Sequence, residues 1–131
     1  MFNKKIITVL ILLSVFVVGL QMAEPVEAVA GKPVDKGSFT VNGAKIKYDA
    51  QLVGNSMFIE FNHKYKFMKN YQLTKVNKNQ FKAYKYSDKT YEYKHVKTYT
   101  SSKSLKNFYF SNYKNTIVKD VKSDAKKVFK K

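Results

Sequence analysis

Eight residues, Phe39-Thr40-Val41-Asn42-Gly43-Ala44-Lys45-Ile46, constrain this chain more than any other stretch. Asn-Gly tolerates positive φ at both central positions of a turn, as the tight type I′ β-hairpin requires. With Asn42-Gly43 at the tip, Val41 opposes Ala44 and Phe39 opposes Ile46, while Thr40 opposes Lys45. One face is then apolar and the other polar, and a one-residue slip would invert both. The alternation continues with Tyr48, Ala50 and Leu52 inward and Lys47, Asp49 and Gln51 outward. Gly54-Asn55 is a second two-residue turn. Folding about it sets Leu52 against Met57, Ala50 against Ile59 and Tyr48 against Phe61. The pattern therefore predicts a three-stranded antiparallel meander with one apolar side.

His63, Tyr65 and Phe67 extend the same parity, with Lys64 and Lys66 on the other side and a strand break at Lys69-Asn70. A short strand is expected over residues 71–76, then a turn at Asn77-Lys78-Asn79. A hairpin of residues 80–86 and 91–99 follows, turning at Ser87-Asp88-Lys89-Thr90, with Tyr91, Tyr93, His95 and Tyr99 on one face. Ser101–Ser104 reads as a linker. Leu105–Tyr113 is ambiguous: Leu105, Phe108, Tyr109 and Asn112 fit a helical face, Phe108 and Phe110 a strand, and a strand is expected over residues 107–112. Thr116–Lys131 is predicted as an amphipathic helix capped by Thr116 or Asn115, since Ile117, Val118, Val121, Ala125, Val128 and Phe129 share one side. The expected fold is α+β: an antiparallel, curved or barrel-like β-meander of five to seven strands, with the C-terminal helix packed on it.

The first 30 residues have the form of a secretory signal. Lys4 and Lys5 precede an unbroken apolar run from Ile6 to Leu20, and Pro25 and Ala28-Val29-Ala30 end it with an A-x-A site. The run is short for a membrane span, which takes about 20 apolar residues. Retention of the uncleaved segment as an anchor is the alternative. Cleavage after Ala30 would leave 101 of the 131 residues: a flexible leader, 31–37, and a single secreted domain, 38–131. A domain of this size buries about 65% of its unfolded surface. There is no cysteine, so neither disulfides, a thiolate metal site nor a lipidated cysteine is available.

Lys4, Lys5, Glu24 and Glu27 cancel, so the domain keeps the whole formal charge of +16. Such a charge favours polyanionic partners, and would also hold a secreted protein at an anionic cell surface. All 25 basic residues are lysine. Without arginine's bidentate fork, sequence-specific DNA recognition is disfavoured, whereas diffuse, salt-sensitive attraction suits lysine. An AT-rich genome explains the choice of lysine, but not its excess over Asp and Glu.

Lysines interleave with aromatics at 63–67, 84–86, 91–95 and 97–99. Lys64, Lys66, Lys82, Lys85, Lys94 and Lys97, with Tyr84, Tyr86, Tyr91 and Tyr93, are the candidate ligand-binding residues. Lysines would grip an anionic polymer while Tyr rings stack on its sugars or bases. Strand alternation produces the same interleaving without any site, and it points rings and lysines to opposite faces. The expected function is thus a secreted, non-enzymatic, cationic binding protein for anionic polymers or the cell-envelope surface.

Two other readings are carried. A basic amphipathic helix can contact membranes, as an antimicrobial or toxin does, here through Lys119, Lys122, Lys126, Lys127, Lys130 and Phe129. A small ribonuclease would use His63 and His95 as acid and base. No metal-ligand spacing, nucleophile motif or cofactor cradle is present in the sequence, so no metal or cofactor is expected. Glu60 and Glu92 would be the carboxylates of a glycosidase, though each falls on a solvated strand face. A specific protein partner would leave no legible trace.

Overall fold

A computed structural model describes residues 31–130, and the signal-like segment 1–30 lies outside them. Six strands, β1 (Lys32–Val41), β2 (Ala44–Val53), β3 (Ser56–His63), β4 (Phe67–Asn77), β5 (Gln80–Ser87) and β6 (Glu92–Thr100), pair antiparallel in chain order. The sheet is not closed, and β1 and β6 are its edges. A C-terminal helix of 24 residues, α1, packs on one face, so the fold is α+β. It is α-helical over Leu105–Phe108, π-helical over Tyr109–Tyr113 and α-helical over Lys114–Val128.

The two turns that anchor the register form as expected. Asn42 and Gly43 both take positive φ, 49° and 88°, and Gly54 takes 62°. Phe39 pairs with Ile46, Tyr48 with Phe61, Ala50 with Ile59 and Leu52 with Met57. Ile46, Ala50, Met57, Ile59, Phe61, Leu73 and Phe81 are all but fully buried beneath α1.

Residues 32–37, expected as a flexible leader, are instead the first half of β1. Gly37 pairs with Tyr48, whose ring crosses over it. A Cβ there would lie 2.6 Å from the Tyr48 hydroxyl oxygen. Lys69-Asn70 does not break β4. The turn falls earlier, at Lys64-Tyr65-Lys66, with Lys64 and Tyr65 in the left-handed region at φ 51° and 60°. No Asn-Gly marks it. Instead the Tyr65 N–H donates to Asn62 Oδ1 (2.9 Å) and the Lys66 N–H to the His63 carbonyl (2.9 Å), a side-chain-braced turn.

Leu105–Tyr113, which fits either period and carries an expected strand over residues 107–112, is helix throughout. Ser104 caps it by accepting from the Asn107 N–H at 3.2 Å, replacing Thr116 or Asn115 as the expected cap. The buried residues Tyr109, Tyr113, Ile117, Val121 and Ala125 recur every four residues. Such a repeat drifts about 40° per step around a 3.6-residue helix. The wider π turn offsets one step and keeps Tyr109 and Tyr113 on the sheet.

In β6 the expected sharing of one face by Tyr93, His95 and Tyr99 does not hold. Lys97 pairs with Ala83 but His95 with Tyr84, so Val96 is an extra residue. This bulge leaves Tyr99 under α1, against Phe108 (5.2 Å between ring centres), and puts Tyr93 and His95 on the opposite face.

Candidate functional site

The sheet divides the ten lysine and tyrosine candidates. Lys82, Tyr84, Tyr86 and Tyr93 lie on the face away from α1, where Tyr93 sits 5.4 Å from Tyr86 and 5.9 Å from Phe58. Lys85 points the other way and is consumed in ion pairs with Asp120 (2.8 Å) and Asp124 (3.3 Å). Burial alone would lower the Lys85 pKa, but the hydrogen bonds and charges of Asp120 and Asp124 hold it above its usual value. Lys94 is 3.8 Å from Glu92, and the Lys97 ammonium lies over the Tyr99 ring at 5.0 Å. Tyr91 is exposed in the β5–β6 turn. These residues do not form one site.

Lys64 and Lys66 do join one. α1 ends beside their turn: Phe129 packs against His63 (5.0 Å) and Phe67 (5.6 Å), and its carbonyl accepts from the Asn42 side chain at 2.7 Å. The Nδ1–H of His63 donates to the Lys45 carbonyl (2.7 Å). One end of the molecule thereby gathers Lys45, Lys64, Lys66, Lys126, Lys127 and Lys130, all exposed. Among the described residues none of the six makes an ion pair. Between Lys64 and Lys66 in the same turn stands Tyr65, 83% exposed. Period-two parity assigns Tyr65 to the core; the turn at 64–66 ejects it instead.

The acidic residues explain why the tip is so uniformly basic. Asp120 and Asp124 face the sheet, on Lys85 and Lys69, and Asp35 holds Lys114. From Lys119 onward α1 exposes Lys119, Lys122, Lys126 and Lys127, while Asp120 and Asp124 are held in these ion pairs. Burial would raise the Asp120 pKa, but hydrogen bonds from Lys85 and the Tyr71 hydroxyl (2.6 Å) hold it below the usual range. A depressed carboxylate adds stability that is present above its unfolded value and is lost as pH falls through the folded one.

The two histidines do not meet. His63 lies on the helix side at the end of β3. His95 lies on the opposite face of β6, against Tyr84 (5.7 Å) and hydrogen-bonded to Thr98 Oγ1 (2.9 Å). Three strand spacings, about 14 Å, separate their strands. Glu60 and Glu92 are equally far apart in the strand order; the cross-strand partner of Glu60 is Asp49. Burial, opposed by the Asn62 hydrogen bond and assisted by the Asp49 charge, raises the Glu60 pKa. Its ionisation therefore opposes folding at neutral pH. Glu60→Gln is expected to raise the urea midpoint at pH 7. The gain should vanish below pH 4, where the native carboxyl is protonated in both states; a gain that persists there would refute this origin.

Among the described residues, no group of three or more His, Asp or Glu is placed to hold a metal ion, and no helix is long and apolar enough to cross a membrane. No family model, curated protein or solved structure matches the chain significantly.

Proposed function

We propose that this is a secreted, non-enzymatic binding protein that holds anionic polymers or an anionic envelope surface on its basic tip. The observation that carries the reading is exposed Tyr65, flanked by Lys64 and Lys66 and grouped with Lys45, Lys126, Lys127 and Lys130, none of them ion-paired among the described residues. Unpaired lysines release counterions from a polyanion, and an exposed ring adds stacking on a sugar or base. The membrane-active alternative is less well supported. Ile117, Val121 and Ala125 are buried in the core and Phe129 is packed at the tip, so insertion would require α1 to leave the sheet. The ribonuclease alternative lacks the convergence of His63 and His95 that concerted catalysis needs.

The test is binding to a labelled single-stranded oligonucleotide, used as a generic polyanion, across a salt series. Each lysine contact contributes about 0.7 to the slope of log K against log salt on a single strand. Lys64→Gln, Lys66→Gln and Lys127→Gln together should reduce the slope by about 2. Tyr65→Ala should weaken binding by about 1 kcal/mol or more without changing the slope. Lys32→Gln, Lys78→Gln and Lys106→Gln remove the same charge at the other end of the molecule. An equal loss in that variant would show that net charge binds, not the tip, and would overturn the proposal.

A further inference from the structure

The second feature lies away from the tip, between α1 and the β5–β6 edge of the sheet. A crevice of about 540 Å3 opens there, within the size range of small-molecule sites. The residues that line it include Tyr71, Tyr99, Tyr113, Val96 and Ile117. Tyr99 and Tyr113 stand edge to face at 6.2 Å. Val96 is the bulged residue of β6 and is 64% exposed, so the bulge that turns Tyr99 inward also forms part of the mouth.

The polar groups of the crevice are unequally satisfied. Asp120 is occupied by Lys85 and by the Tyr71 hydroxyl. Lys97 has no carboxylate partner among the described residues and leaves an unneutralised cation on the lining. Tyr113 is only 3% exposed, yet its hydroxyl makes no hydrogen bond among the described residues. The other two tyrosines buried under α1 are both paired, Tyr71 to Asp120 and Tyr109 to Asp35 (2.9 Å). A buried hydroxyl without a partner is costly, and a ligand atom that bonds it recovers that cost.

We infer that this crevice is a binding site for a small aromatic acid. The planar ring would lie among Tyr71, Tyr99 and Tyr113, the Tyr113 hydroxyl would hydrogen-bond the ligand, and Lys97 would face its anionic group. Aromatic walls favour a ring through edge-to-face contact. The one uncompensated charge of the lining selects an anion. The site is independent of the basic tip, because none of the tip lysines lines it.

Anilinonaphthalene sulfonate, an aromatic body with an anionic head, is the probe. Titration of the purified protein should give saturable binding with one molecule per chain. Thr116 is exposed on α1 and lines the crevice, so Thr116→Trp should fill it and abolish binding. Tyr113→Phe should weaken binding about fivefold, the effect of one hydrogen bond, and leave thermal stability unchanged or raised, because the hydroxyl it removes is unpaired. Lys97→Gln should weaken it further. Binding that survives Thr116→Trp at full strength would place the probe on surface lysines, and absence of saturable binding would deny the site; either result overturns the inference. Should Thr116→Trp fail to fold, unchanged affinity in Tyr113→Phe would overturn it equally.

Discussion

Asp35→Ala should destabilise the protein by about 3 kcal/mol, measured by urea unfolding at neutral pH. Asp35 lies on the helix-facing side of the edge strand β1, and its carboxylate accepts from Lys114 Nζ (2.8 Å) and from the Tyr109 hydroxyl (2.9 Å). Its side chain is 13% exposed and that of Lys114 26%. Removing the carboxylate leaves the fully buried Tyr109 phenol without an acceptor and takes from the partly buried Lys114 its anionic partner, and the penalty is mainly the desolvation of the phenol. Asp35→Asn should recover part of the loss, since an amide oxygen still accepts from Tyr109. A loss below about 1 kcal/mol for Asp35→Ala, the level of an exposed pair, would mean that this latch does not hold β1 to the helix.

The second large effect separates two neighbouring phenylalanines. Phe108 is 3% exposed and stacks on Phe81, with ring centres 4.4 Å apart and planes 11° apart. Phe110 is 41% exposed. Phe108→Ala should cost about 3 to 5 kcal/mol, and Phe110→Ala less than about 1. In a strand the two would share a face and respond alike. Equal losses would therefore refute the helical start of α1, whereas a large difference would support it.

That segment illustrates where sequence reasoning loses its grip. Helical and strand periods both fit Leu105–Tyr113 over so short a span, and the choice depends on Phe81 and Tyr99, which receive Phe108 from strands far away in sequence. Residues 32–37 join β1 for a similar reason. Nothing local in residues 32–37 is apolar enough to signal a strand, yet Asp35 is drawn in by Lys114 and Tyr109. Among the site residues, the lysines flanking Tyr65 were legible, but Tyr65 itself was hidden by a turn lacking glycine. Its signal was Asn62, three residues earlier, whose side chain accepts from the Tyr65 N–H.

From the sequence alone follow the three-stranded meander β1–β3, its register and the apolar face of the helix's second half, because each depends on contacts between near neighbours. Asn42-Gly43 and Gly54-Asn55 set the turns, and alternation on either side of them leaves one pairing that puts Ile46, Ala50, Met57, Ile59 and Phe61 on a single face. Tertiary structure alone decided which lysines remain free. Asp120 and Asp124 take Lys85 and Lys69, and Asp35 takes Lys114, across 35 to 79 residues of chain, leaving the tip lysines without an ion pair among the described residues. It also decided the face of Tyr99, through a bulge at Val96 that no residue type announces. Both are long-range outcomes: an ion pair or a bulge is fixed by what lies opposite it in space, and the sequence records only what lies beside it.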